Sequence, residues 1–260
     1  MTGEKAETGM RLLQWIQQQA GISRRKAQEL IAAGEVNLND QIESDPFRLI
    51  APGCLDSASL RGYPLATAPP EKRVYRFHKP AGMLCSHDDP HAGNTVGRVL
   101  RAEGFIGYTW AGRLDRDAEG LLVVTNDGDL VQAYSHPRYE VTKTYHVWLR
   151  AIPNPGRLAS VFRKMKSGIE EGGETLRILD GRAGGGRAKQ SQHVILTLGE
   201  GRKHEIKRLF GAFDLEVTRL VRVSMGSVQL GTLPRGDFER LAHQEEDTTL
   251  SAARELLEGV

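Results

Sequence analysis

The sequence predicts an α+β protein made of two folded units. A pair of segments with helical periodicity lies near the N-terminus, and a proline-rich polar stretch follows it. Beyond that stretch, strand-like apolar runs and helix-like segments succeed each other in no regular order. A doubly wound sheet would show regular βαβ alternation, so its absence selects α+β.

Each element has its own signal. Leu12, Leu13, Trp15 and Ile16 recur at helical spacing and stop at Gly21; a second helix starts at Ser23, carries Ala27, Leu30 and Ile31 inward, and stops at Gly34. Ser23 is suited to cap that helix, because its hydroxyl can accept a free N–H of the first turn. Residues 35–42 alternate polar with apolar around Asn39-Asp40, as a short hairpin does. Pro64, Pro69 and Pro70 mark a linker. Strands are expected at 74–77, 121–125, 145–149, 193–198 and 217–223, and helices at 158–165 and 203–213. The glycine-rich residues 181–186 read as a surface loop, and 248–257 as an amphipathic terminal helix. The resulting division is 8–62 for the first unit, 63–72 for the linker, 73–243 for the second unit and 244–260 for a C-terminal helix or tail.

Composition narrows the function. Of the 260 residues, 39% are hydrophobic and 26% charged, the balance of a globular chain. No apolar run approaches the roughly 18 residues of a membrane span, so no membrane partner is expected. The first residues lack an apolar signal core, so export is not expected, and with only two cysteines a reducing cytoplasm is the expected location. Cys54 and Cys85 alone cannot build a disulfide framework, and the eight histidines show no metal-ligand spacing, so no metal site is expected. With a net charge of only +2, a nucleic-acid partner has to be argued from local patches. Nothing suggests a coiled coil or dimer face, so a monomer is expected.

The densest chemistry lies in residues 112–120, where Arg113, Asp115, Arg116, Asp117 and Glu119 crowd a loop bracketed by Gly112 and Gly120. The loop precedes an apolar strand, a position that can hold a carboxylate rigidly within reach of a substrate. Asp115, Asp117, Glu119 and Gly120 match the first places of a calcium loop. Asn126 stands where that loop needs a bidentate Glu, however, and two arginines would repel a cation.

The string AGRLDRDAEGLLVVTNDGDL at 111–130 resembles the active-site signature of the RsuA-like (RsuA/RluB-type) ribosomal pseudouridine synthases. Three further segments resemble that family in its order: HKPAG at 78–82, HPR at 136–138 with KTY at 143–145, and EGRKHEIKRLF at 200–210. Together they span roughly residues 74–243. The N-terminal segments RL (11–12), GISRRKA (21–27), LI (30–31) and GEVNLN (34–39) resemble the alpha-L RNA-binding domain. The resemblance implies a small alpha-L RNA-binding domain followed by a synthase domain with a mixed, mainly antiparallel sheet and flanking helices.

It also implies a chemistry: a uridine of ribosomal RNA is isomerised by a catalytic aspartate acting on a flipped-out base, without cofactor or metal. Asp115 is the carboxylate of that pattern, acting as nucleophile or base. Tyr145 takes the place of the aromatic that stacks on the extruded base, and its hydroxyl could assist proton movement from the ring carbon. Lys207 holds the basic position expected to pair with Asp115 and keep it ionised. Arg113 and Ile206 match substrate-binding positions, with Arg202 and Arg208 beside them. Glu205 departs from the glutamine often found there. In the N-terminal unit, Ser23 at a helix start and the run Arg24, Arg25, Lys26 would hold RNA phosphates. The implied partner is ribosomal RNA or a ribosomal subunit precursor, and the run 121–128 leans toward the large-subunit, 23S branch. Two rivals remain open. A glycoside or nucleoside hydrolase would use Asp115 and Asp117 as its carboxylate pair, but on an extended loop these would point opposite ways. A non-catalytic ribosomal RNA-binding or assembly factor would not need Asp115, Tyr145 and Lys207 intact.

Overall fold

The computed structural model describes residues 9–68, 70–185 and 193–259. Two compact units result: one takes the chain up to Lys72 together with Leu100–Tyr108, and the other takes Arg73–Val99 and the chain from Thr109 onward.

The first unit contains β1 (Met10–Arg11), α1 (Leu12–Ala20), α2 (Arg24–Ala32), β2 (Val36–Leu38), β3 (Gln41–Ile42), β4 (Leu49–Ile50), β5 (Ala58–Leu60) and β6 (Tyr63–Pro64). Leu12, Trp15 and Ile16 of α1 meet Ala27 and Ile31 of α2 and Val36, Leu38 and Ile50 in one core. The Ser23 hydroxyl accepts the Lys26 N–H at 3.2 Å, capping α2 as its residue type leads one to expect. At the other end, Gly34 N–H donates to Ile31 and Glu35 N–H to Leu30, which satisfies two of the last carbonyls of the helix. That closure puts Gly34 at φ +72°, a conformation that favours glycine. Asn39 and Asp40, both at positive φ, turn β2 into β3, and the sheet runs β3-β2-β5-β6. Strand β6 takes Tyr63 and Pro64 out of the expected linker, and Pro69 lies outside the described residues.

The second unit begins with β7 (Val74–Lys79). Helix α3 (Val96–Ala102) carries the boundary between the units, and β8 (Thr109–Ala111), β9 (Glu119–Thr125), α4 (Gly128–Ser135) and β10 (Lys143–Leu149) follow. Next come α5 (Pro155–Ser167), β11 (Ile169–Glu171), β12 (Glu174–Leu176), β13 (Asp180–Ala183), β14 (His193–Leu198), α6 (Glu205–Gly211) and β15 (Val217–Met225). Strands β16 (Val228–Gln229) and β17 (Phe238–Arg240) and helix α7 (His243–Glu258) complete it. The main sheet runs β13-β14-β10-β15-β9-β7-β17, and every pair along it is antiparallel except β15 with β9. All seven residues of β9 are buried, which explains its near-continuous apolar run. Strand β10 instead alternates, burying Lys143, Tyr145, Val147 and Leu149 on one face.

One expectation changes here, and another, a C-terminal helix or tail, resolves to a helix. Residues 180–183 of the presumed glycine-rich loop form β13, paired to β14 because the backbone of Gly181 and Arg182 completes that edge; Gly186 lies outside the described residues. Residues 244–258 are no loose tail. Leu250 and Ala253 of α7 sit in the core with Val74, Leu130, Ala133 and Tyr134. The buried Glu246 of the same helix accepts the Val74 N–H at 2.6 Å.

Candidate active site

The loop between β8 and β9 is held from several sides. Its C-terminal end enters the parallel pairing of β9 with β15, where Gly120 faces Arg222. Gly120 has φ +113°, and a Cβ there would lie 2.3 Å from the Arg222 carbonyl oxygen. Glycine is therefore required for the backbones to approach. Beneath the loop, the Lys79 ammonium is wholly buried and donates to the Ala118 carbonyl at 2.7 Å and the Pro80 carbonyl at 2.9 Å. Burial pushes the Lys79 pKa down, against the charges of Cys85, Asp117, Asp115 and Glu119. Gly82 N–H donates to Arg116 O at 2.7 Å, and Ala118 N–H to Asp115 O at 3.1 Å. The Leu114 N–H meets Cys85 Sγ at 3.4 Å. These bonds fix the direction of Asp115.

Asp115 lines a cleft of about 830 Å³ together with Arg113, Tyr145, Arg202, Ile206 and Lys207. These lining residues thus come from three separate stretches of the sequence, 113–115, 145 and 202–207. Tyr145 rises from the buried face of β10, and burial pushes its phenol pKa up while the Arg222 charge opposes. Lys143, two residues earlier on the same face, donates to the Val141 carbonyl at 2.8 Å. Burial, aided by the Arg222 charge, pushes the Lys143 pKa down to about 8. Glu205, at the start of α6, accepts the Arg202 N–H through Oε2 at 2.9 Å. A carboxylate oxygen serves that contact as well as an amide oxygen would. Its buried Oε1 has no partner among the described residues, and burial raises the carboxyl pKa.

Two expectations about cations need correction. Lys207 pairs with Asp117, not Asp115. The turn that bonds Ala118 N–H to Asp115 O directs successive carboxylates to different neighbours. The Lys207 hydrogen bond holds the Asp117 carboxyl below its usual range. The near cation for Asp115 is His204, whose Nε2 lies 3.6 Å from Oδ1 and forms an ion pair with it when protonated. Arg208 does not line the cleft either: its guanidinium bonds Glu171 and Glu174 of the β11–β12 hairpin. Arg202 lines the cleft while paired with Glu200 at 2.7 Å. In the first unit, Arg24 is exposed, whereas Arg25 and Lys26 pair with Glu29 at 3.2 and 3.5 Å.

Four residues at the site were not singled out by sequence. His204 sat within the third motif, Lys79 within the first and Lys143 within the second, so their segments were visible but not their contacts. Arg222 left a fainter signal, a charge between the apolar residues Val221 and Val223 of β15. Among the described residues, no group of three or more His, Cys, Asp or Glu side chains is arranged to hold a metal ion.

Asp115 and the buried Tyr145 thus share one cleft, rimmed with Arg113, Arg202 and Lys207, on this mixed sheet. The family described as RNA pseudouridylate synthase matches residues 73–212. Ribosomal small subunit pseudouridine synthase A of Vibrio cholerae is 32% identical over 238 residues, covering 91% of this chain and 97% of that protein. Ribosomal large subunit pseudouridine synthase B of Bacillus subtilis is also 32% identical over 238 residues, covering 91% and 94%. A solved structure described as a pseudouridylate synthase superposes with a TM-score of 0.58 at 27% identity, covering 95% of this chain and 99% of that one. The chain belongs to the RNA pseudouridylate synthase family, in its RsuA-like branch.

Proposed function

We propose that this protein isomerises a uridine of ribosomal RNA to pseudouridine with Asp115 as the catalytic carboxylate. The observation that carries this reading is Asp115 itself, fixed by its loop at the wall of a cleft that also holds Tyr145 and Ile206. The relatives named for both ribosomal subunits supply the substrate class.

In the proposed reaction the target uridine leaves its helix and enters the cleft. Stacking on Tyr145 and contact with Ile206 offset the few kcal/mol that unstacking costs. Asp115 attacks or deprotonates the ribose as the bond from C1′ to N1 breaks, and the electron pair of that bond stays on the uracil ring. The ring turns and C5 bonds to C1′ as the Asp115 carboxylate is released, or as the proton it took returns to the ribose; the C5 proton then leaves and N1 takes up a proton, so atoms balance and no cofactor is consumed. Arg113 and Arg202 face the RNA backbone. Lys207 acts through Asp117, keeping the second carboxylate of the loop paired so that Asp115 alone meets the nucleotide. The first unit serves as the RNA-binding module through Arg24, Arg25 and Lys26, while Ser23 caps α2. The protein works as a monomer in the cytoplasm. No helix among the described residues is long and apolar enough to cross a membrane.

The sequence favours a 23S target, and the test covers both subunits. Pseudouridines are mapped in 16S and 23S RNA from a strain lacking the gene. One site should vanish and return when the purified protein is added to that RNA. Identical maps with and without the gene would overturn the proposal.

A further inference from the structure

Arg222 is among the most deeply buried side chains of the molecule, only 1% exposed, yet it is a cation lining the cleft. A buried guanidinium is costly unless its donors are used. Two are used, one on each side of Asp115: Nε donates to Leu121 O in β9 at 2.8 Å, and Nη1 to Arg113 O in the loop at 3.3 Å. Nη2 is buried and has no hydrogen-bond partner among the described residues. Across the sheet, Arg222 is the register partner of Tyr145, and its guanidinium stands beside the Tyr145 hydroxyl. One rigid fork therefore touches the backbone that carries Asp115 and the ring that would hold the base.

We propose that Arg222 is a positioning residue that joins Asp115 and Tyr145 into one unit: Nη1 holds the carbonyl before Asp115, Nε holds the strand after the loop, and the guanidinium, already against the Tyr145 hydroxyl, closes on it with Nη2 once a nucleotide fills the cleft. This rests on the functional reading above. Planarity matters, because only a fork can serve two carbonyls and a phenol at fixed angles. The titratable groups that meet its charge are Cys85 before α3 and Lys143 and Tyr145 from β10, with Asp115 from the loop and Glu205 from α6 acting on Tyr145 beside it. A role in charge neutralisation would need only one partner, so the geometry favours positioning.

The test uses the full chain with ribosomal RNA from the strain lacking the gene. Arg222→Lys keeps the charge and loses the fork. It should stay folded with a lowered melting temperature and bind RNA like the parent at 25 °C, while turnover falls about a hundredfold, the cost of a small misplacement at a reacting centre. Combined with Tyr145→Phe it should lose little more than either single variant, because residues acting as a unit are not additive. A parent that forms pseudouridine, with Arg222→Lys equally active or with losses that multiply in the double variant, overturns the positioning role alone. A parent that forms none overturns the functional reading, and this inference falls with it. If Arg222→Lys does not fold, the Asp115→Asn chain bound to the same RNA decides by NMR. The Arg222 Nη2 protons should become protected from exchange and the Tyr145 Cζ resonance should shift. Neither change on RNA binding overturns the proposal.

Discussion

Lys207 shows how far a motif reaches at the scale of one residue. The third segment marks it as the basic position, but Asp115 and Asp117 differ in sequence only by two places. The hydrogen bond from Ala118 to Asp115 O and the carbonyls gathered by Lys79 decide which carboxylate turns to Lys207, and neither is written in a spacing. The pair with Asp117 is more than half exposed on the acid's side, at 64%. Solvent screens it, so Lys207→Met should cost less than about 1 kcal/mol of stability. The Asp117 carboxyl should rise to the ordinary range in that variant, read by its side-chain carbon shift in NMR. In the parent Asp117 stays ionised further into acid, so the two titration curves should separate as pH falls below about 5, with the parent the less protonated. Coincident curves would deny the pairing. The motifs named Asp115, Tyr145 and Lys207, but neither the partner of each nor Lys79, Lys143, His204 and Arg222 beside them could be read from a spacing.

Longer elements were the legible ones. Strands β7, β9, β10, β14 and β15 are apolar or alternating over six to nine residues, and the sequence located all five. Strands β11, β13, β16 and β17 have two to four residues, too few for a period to show, and their pairing comes from neighbours. Helix α7 starts five residues earlier than its apolar pattern, at His243, because its first turn is polar for a structural reason. Glu246 there is 2% exposed, accepts the Val74 N–H and pairs with Arg240 at 2.8 Å. Burial alone would raise its pKa, but the Arg240 and Val74 bonds and the Arg240 and Arg73 charges bring it below the usual value. A lowered folded pKa means stability that is present above the unfolded value and lost as pH falls through the folded one. Glu246→Gln should therefore lose about 1–3 kcal/mol at pH 7. The gap from the parent in thermal melting should shrink below about pH 4.3. A gap that widened in acid would contradict this account of α7. Gly120→Ala, which drives a methyl onto the Arg222 carbonyl, should cost about 3 kcal/mol and show as a lower denaturation midpoint.

At the scale of the whole chain, two units were visible as a change of pattern across the prolines, whereas the return of Leu100–Tyr108 to the first unit was not. Nothing local marks that return. It shows as a backbone approach, in which a Cβ on Gly107 would lie 2.5 Å from Gln18 O. Cutting the chain near residue 71 would strand this segment, so the RNA-binding role of the first unit is better tested in the full chain. Replacing Arg24, Arg25 and Lys26 with glutamine should weaken binding to ribosomal RNA. The slope of its salt dependence should flatten by roughly 0.7–0.9 for each phosphate that the protein no longer neutralises. An unchanged slope would remove these residues from the RNA interface.

The central claim is that Asp115 performs the isomerisation, and one comparison tests it most directly. Parent and Asp115→Asn proteins are given the same ribosomal RNA from the strain lacking the gene, and pseudouridine is counted by chemical labelling. The substitution keeps size and most hydrogen bonds while removing the charge and the nucleophile. The parent should fill one site, and the asparagine variant should fall below detection with RNA affinity unchanged. Appreciable turnover by Asp115→Asn would contradict the account and move the catalytic carboxylate to Asp117.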